Sequence, residues 1–79
     1  MSKLEKSVYE RIQAQVKFFS LDRGYGFCKR PGKMDIFFTS KALAKANIHN
    51  PKENDWFELD LVPVAGKGGK AINIVKVDK

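Results

Sequence analysis

Apolar and polar side chains alternate along several short segments of this chain, and a period of two residues is the pattern of a half-buried β-strand. In the first segment, Ile12, Ala14 and Val16 share one parity, while the residues between them are polar. Turn-forming sequences rich in glycine, proline or polar residues separate the alternating segments. The alternation predicts five strands, at residues 8–19, 25–30, 34–39, 56–62 and 70–77.

Between the third and fourth predicted strands, residues 40–46 favour a short helix with Ser40 as its N-terminal cap. Five short strands with glycine-rich connections in 79 residues predict an all-β fold, a five-stranded antiparallel barrel of the OB type. A chain of this length forms one small domain. We assign residues 11–79 to the barrel and residues 1–10 to an N-terminal extension, which we expect to be mobile.

The composition argues against several classes of protein. No apolar run approaches the length that spans a bilayer, and the N-terminus lacks the apolar stretch of a signal peptide, so we expect a cytoplasmic protein without membrane contact. One cysteine, Cys28, excludes an internal disulfide, and with only one histidine, His49, the usual zinc ligand sets cannot be assembled. No nucleophile has a base at a motif spacing. We therefore expect no enzyme activity, no metal, no cofactor and no small-molecule substrate.

Positive charge is concentrated in two segments of the chain, whose formal net charge is +6. Residues 17–33 carry five basic side chains and one acidic side chain, a balance of +4, and residues 63–79 carry four lysines and one aspartate, a balance of +3. Residues 52–62 are acidic, with a balance of −3. A basic surface is the electrostatic footprint of a polyanionic partner, although a merely solvated charged face has the same composition.

The aromatic residues of the first three strands occur in three runs: Val16-Lys17-Phe18-Phe19, Arg23-Gly24-Tyr25-Gly26-Phe27 and Asp35-Ile36-Phe37-Phe38. In the second run, Tyr25 and Phe27 share one face, and we expect the neighbouring glycines to leave the opposite face almost uncovered. Such a strand is a poor core strand but a good surface for nucleobases, because every base has a flat face that a ring can meet. The residues therefore predict a protein that binds single-stranded nucleic acid.

The same three runs together resemble a cold-shock domain. That family typically reads Gly-x-Val-Lys-Trp-Phe-Asn, then Lys-Gly-Tyr/Phe-Gly-Phe-Ile, then Asp-Val-Phe-Val-His. Residues 52–59 and 71–74 are similar to two later segments of the family pattern, so the resemblance extends over about residues 12–77. It implies an OB-type barrel that binds single-stranded RNA or DNA by base stacking, in roles such as RNA chaperone or transcription antiterminator.

The resemblance also implies which residues contact the nucleic acid, namely Lys17, Phe18, Arg23, Tyr25, Phe27, Phe37 and Lys67. We nominate Phe19 and Thr39, which stand beside these residues in the sequence or in the family pattern, together with them. Phe18 stands where the family has Trp, and we expect Phe18 to make the contact while Phe19 is partly exposed. Thr39 stands where the family has a stacking His, and Ser40 where an aromatic residue commonly follows. The loss of two rings implies a shorter stacking surface and binding that depends more on charge.

An alternative use of the same barrel remains open from the sequence. The missing rings at positions 39 and 40, and the unusual Trp56 in the acidic segment, would suit a barrel repurposed as a protein-interaction module. We expect Trp56 to have a structural or partner-docking role. The residues do not distinguish RNA from DNA, because stacking does not involve the 2′-hydroxyl. For either use we expect a monomer.

Overall fold

The computed structural model describes residues 8–78, in which five strands and one short helix follow one another along the chain. The elements are β1 (Glu10–Ser20), β2 (Tyr25–Arg30), β3 (Lys33–Thr39), α1 (Ser40–Lys45), β4 (Trp56–Val62) and β5 (Lys70–Val77). The five predicted strands and the predicted helix are therefore confirmed. The proposed N-terminal extension falls largely outside the described residues, and its last residue, Glu10, is the first residue of β1.

The strands close into a barrel in the order β1-β2-β3-β5-β4, which confirms the predicted five-stranded architecture. Neighbouring strands pair antiparallel except β3 and β5, which are parallel and are joined at the pair Phe37 and Lys70. The predicted antiparallel barrel is thus wrong at this one seam. Strands joined by short turns must run antiparallel, but β3 and β5 are separated by α1 and β4, a connection long enough for parallel pairing. No helix within residues 8–78 is long and apolar enough to cross a bilayer.

The barrel interior is filled by side chains from all five strands and from α1. The buried apolar residues are Ala14, Val16, Cys28, Ile36, Phe38, Leu43, Phe57, Leu59, Ala71 and Ile74. The rings of Phe38 and Phe57 meet edge to face at the centre, with centroids 5.5 Å apart. Burial, together with the nearby Asp35 carboxylate, raises the pKa of the Cys28 thiol to about 12, so this thiol is protonated at neutral pH.

Gly26 of β2 is a buried position against which other parts of the barrel pack. A Cβ atom at Gly26 would lie 2.7 Å from Cζ of Phe38 and 2.9 Å from Cα of Phe19. Cys28, on the same face of β2, is fully buried. The expectation that this face of β2 would be almost uncovered is therefore wrong. The space left by the missing side chain is filled by the ring of Phe38 and by the backbone of β1.

A polar cluster lies on the outer surface of β1, β4 and β5. The carboxylate of Asp60, only 3% exposed, accepts hydrogen bonds from Arg11 Nη1 at 3.2 Å and from Asn73 Nδ2 at 2.9 Å. Arg11 also donates through Nε to Glu58 Oε2 at 3.0 Å, and this hydrogen bond is the main reason that the pKa of Glu58 is lowered. The cluster joins the first strand to the last two on the side of the barrel where those three strands adjoin.

Candidate nucleic-acid interface

Four aromatic rings lie together on the outer surface of β1, β2 and β3, and we call Phe18, Tyr25, Phe27 and Phe37 the aromatic face. Strand pairing sets Phe18 opposite Phe27, and Phe27 opposite Phe37. The ring centroids in these two pairs are 5.7 and 6.0 Å apart, and Tyr25 lies 5.9 Å from Phe37. Phe18 is 42% exposed and the other three rings are half-buried. The rings therefore form one continuous apolar surface that solvent reaches.

A bulge in β1 directs Phe18 to this face. Val16 pairs with Cys28 and Phe18 with Phe27, so Lys17 is an extra residue with no partner of its own in β2. Regular alternation would turn Phe18 inward after the buried Val16, and the extra residue reverses that direction. Phe19 instead points toward the barrel interior, where it stacks on Phe38 with centroids 5.9 Å apart and planes 14° apart.

The two adjacent phenylalanines are therefore separated by the backbone of β1. Phe18 lies on the aromatic face, and Phe19 is half-buried beneath it. Of the nine residues that the sequence nominates for binding, Phe19 is one that the fold does not bring to the surface of the rings. Its contact with Phe38 supports the strand on which Phe18 is placed.

Two exposed basic residues lie close in sequence to the rings of the aromatic face: Lys17 precedes Phe18, and Arg23 comes two residues before Tyr25. Lys17, at the bulge, forms an exposed ion pair with Asp35 on β3, with Nζ and Oδ2 2.9 Å apart. Arg23 is exposed in the turn between β1 and β2, where its backbone N–H donates to Ser20 Oγ. An exposed ion pair is worth less than about 1 kcal/mol, so a phosphate group can compete with Asp35 for Lys17.

A surface groove of about 500 Å³ brings the last loop of the barrel against the rings. It is lined by Tyr25, Phe27, Phe37, Val64, Lys67, Gly69 and Lys70. Lys67, nominated from the sequence, thus lies beside the rings although it is distant from them along the chain. Lys70 is a neighbour that the sequence does not nominate, because its position depends on the parallel pairing with Phe37. The only sequence signal for Lys70 is the positive charge of its segment.

Thr39 lies at the edge of the aromatic face and also begins the helix. It pairs with Tyr25 across β2 and β3, and its Oγ1 accepts a hydrogen bond from the backbone N–H of Ala42 at 3.1 Å. The prediction of Ser40 as the helix cap is wrong. Thr39 has the extended backbone of an N-cap residue, with φ −113° and ψ 158°, whereas Ser40 is already the first helical residue.

Trp56 lies away from the aromatic face. It is half-buried on β4, where it pairs with Gln15 of β1. Its side chain lines a separate groove of about 360 Å³ together with Lys29, Arg30 and Pro31. The docking role expected for Trp56 would therefore use a different surface from the one formed by the rings.

Comparison with known proteins finds relatives that match nearly the whole barrel. The chain is 32% identical over 66 residues to the cold shock-like protein CspC of Bacillus cereus, a match that covers 84% of this chain and 100% of the relative. It is 29% identical over 65 residues to the cold shock protein CspA of Staphylococcus saprophyticus and to that of Staphylococcus aureus, covering 82% of this chain and 97% of each relative. No family model matches the chain. With these relatives, this barrel and these motifs, the chain belongs to the cold-shock protein family.

Proposed function

We propose that this protein binds single-stranded nucleic acid, RNA or DNA, on the aromatic face. The observation that supports this proposal is the group of four rings that contact one another on the outer surface of three adjacent strands. Isolated apolar residues on a surface need no explanation, but a contiguous apolar patch marks an interaction site. A patch made of aromatic rings and bordered by basic side chains fits a ligand that has flat bases and a charged backbone.

The proposed mechanism divides the contacts between the two parts of the nucleotide. Bases stack on the rings, and each stacked base contributes about 1–3 kcal/mol without reading its identity. Lys17, Arg23 and Lys67 hold phosphates at the edges of the face, which adds affinity that depends on salt. A strand bound in this way is held unpaired without an energy source, as an RNA chaperone or an antiterminator requires. The relatives described above are cold shock proteins, and this mechanism suits a member of their family.

The edge of the face at Thr39 has a hydroxyl in place of a ring, and that hydroxyl already accepts the hydrogen bond that begins α1. The stacking surface therefore ends at Tyr25 and Phe37 on this side. We expect a larger share of the affinity to come from phosphate contacts, and one monomer to bind a strand of about six to eight nucleotides.

Titration with short oligonucleotides tests the proposal. A pyrimidine-rich single strand, a purine-rich single strand and a duplex of the same length are each titrated at two salt concentrations. We expect both single strands to bind more tightly than the duplex, because paired bases cannot present their faces to Tyr25 and Phe27. We also expect the affinity to fall steeply with salt. Equal binding of duplex and single strand would overturn the stacking mechanism, and an affinity that does not change with salt would overturn the phosphate contacts.

The protein-interaction alternative would use the groove beside Trp56, and chemical-shift mapping separates the two. If the aromatic face binds the strand, the amide shifts should cluster at residues 17–18, 23–27, 37–39 and 67. Shifts confined to residues 56–60 would instead favour the groove beside Trp56. The two surfaces lie on different parts of the barrel, so the two patterns are distinguishable.

A further inference from the structure

A second groove adjoins the aromatic face, between α1 and β5. Its volume is about 390 Å³, and we call it the basic groove because three lysines line it: Lys41, Lys45 and Lys70. The rest of its lining is made of small and aliphatic side chains with two polar ones: Thr39, Ala42, Ala46, Ile72, Asn73 and Ile74. Among residues 8–78, neither an aromatic ring nor a carboxylate lines this groove.

Two of the lysines in the basic groove, Lys41 and Lys45, are like charges that α1 holds close to each other. Lys41 and Lys45 are four residues apart on α1 and project from the same side of the helix. All three lysines are exposed, and within residues 8–78 none of them forms an ion pair with a carboxylate. Like charges at this helical spacing are destabilising by a few tenths of a kcal/mol. A bound polyanion would relieve that repulsion.

The basic groove is continuous with the surface that carries the rings. Lys70 lines both grooves, and its backbone pairs with Phe37. Thr39 lines the basic groove and pairs with Tyr25. A nucleic-acid strand that passes over Tyr25 and Phe37 therefore meets Lys70 next, and then the two lysines of α1.

We propose that the basic groove binds the sugar-phosphate backbone of the single strand where the strand leaves the aromatic face. This inference rests on the proposed function and extends it by a second binding segment. Because the groove offers charge without rings, it binds phosphates and not bases. Its contribution is therefore independent of sequence, increases with strand length and weakens with salt.

The test compares two strand lengths and a pair of matched variants. The double variant Lys41→Gln, Lys45→Gln removes two charges from the groove and keeps two long side chains that favour a helix. The control, Lys52→Gln with Lys76→Gln, removes the same charge from exposed positions that line neither groove. Each protein is titrated with single strands of about six and about twelve nucleotides, so that only the longer strand extends from the aromatic face into the basic groove.

We expect the groove variant to bind the short strand as the wild type does, and to lose most of the extra affinity for the long strand. The salt slope for the long strand should fall by about 1.4, because each lost phosphate contact on a single strand removes about 0.7. The control variant should keep the extra affinity for the long strand. Part of that extra affinity is statistical, because a longer strand offers more positions at which the protein can bind. A Lys41→Arg, Lys45→Arg variant should restore the wild-type behaviour, since it restores both charges.

The outcomes distinguish this inference from the proposed function. If the short strand does not bind the wild type, the proposed function fails first. The long-strand gain is the extra affinity for the twelve-nucleotide strand over the six-nucleotide strand. If the short strand binds, and the groove variant and the control either both keep this gain or lose it equally, the basic groove has no specific role. If a polyglutamate peptide binds the wild type but not the groove variant while the long-strand gain is unchanged, the occupant is an acidic protein segment and this inference is overturned.

Discussion

Phe18 and Phe19 test whether the outer face of β1 serves binding while its inner face serves stability. They are adjacent residues of the same type, and the bulge at Lys17 turns one ring outward and the other inward. Replacing each by alanine removes the same atoms from opposite faces of the same strand. We expect Phe18→Ala to lose binding with little loss of stability, and Phe19→Ala to lose stability.

The magnitudes follow from the contacts of each ring. A fully buried Phe→Ala change is destabilising by about 3–5 kcal/mol, and Phe19 is half-buried against Phe38, so we expect about 2 kcal/mol. In a domain of this size that loss lowers the Tm by about 8–16 °C. Phe18 is 42% exposed and packs against the half-buried rings of Tyr25 and Phe27 on the outer surface, so its loss should be less than about 1 kcal/mol of stability. Loss of one stacked base, about 1–3 kcal/mol, raises the Kd about 5- to 150-fold.

Circular dichroism gives the Tm of each variant, and a fluorescence titration with a single strand at low temperature gives the Kd of the folded protein. Val75→Ala is the control, because Val75 is a 53% exposed aliphatic residue on β5 that lines neither groove. Equal losses of Tm in Phe18→Ala and Phe19→Ala would refute the assignment of the two faces. So would a Phe19→Ala protein that keeps its Tm and loses its affinity.

Three further changes test other parts of the barrel. Gly26→Ala should be destabilising by about 1–3 kcal/mol in urea unfolding, because the new Cβ meets the backbone carbonyl oxygen of Phe18 and the ring of Phe38. A smaller residue at position 38 relieves only the second contact, so the double variant should lose somewhat less stability than the sum of the two single losses. Thr39→Ala should be destabilising by about 0.5–2 kcal/mol through loss of the helix cap, whereas Thr39→Ser should keep the hydrogen bond and the stability. The hydrogen bond from Arg11 lowers the pKa of Glu58 in the folded state. The stabilisation that this hydrogen bond gives the fold is therefore present above the unfolded pKa of about 4.3, and it is lost as the pH falls through the folded pKa. Glu58→Gln should therefore reduce the loss of stability between about pH 5 and pH 3, and an unchanged pH profile would contradict this account.

The β-strands and most of the aromatic face could be predicted because the residues that determine them are close to one another in the sequence. Tyr25 and Phe27 share a face in any regular strand, and their spacing alone sets them side by side. The turns between consecutive strands contain glycine or proline, so the antiparallel order of β1, β2 and β3 follows from chain neighbours. The contact between Phe27 and Phe37 is a consequence of that order.

Positions that depend on an irregular register could not be predicted in the same way. Ala71 and Ile74 are three residues apart and both are buried, which strict alternation forbids. The register between β4 and β5 shifts between them, where Asn73 has a φ of +51°, a conformation that asparagine tolerates better than most residues. The bulge at Lys17 is similar, since a pattern of alternation does not show which residue is extra.

The close packing of the aromatic face bears on how tightly it can bind. Each ring contacts two or three of the others, and two of these five contacts are edge to face: Phe18 with Tyr25 at 75° and Tyr25 with Phe27 at 82°. Beneath these rings, Gly26 lets Phe38 and the backbone of β1 approach β2 closely, so the strands that carry the rings are held from below. The neighbouring rings already restrict one another before nucleic acid binds. Each ring therefore loses little rotamer freedom on binding. In the proposed mechanism, more of the stacking free energy of each base would then be retained as affinity by the four rings of this small barrel.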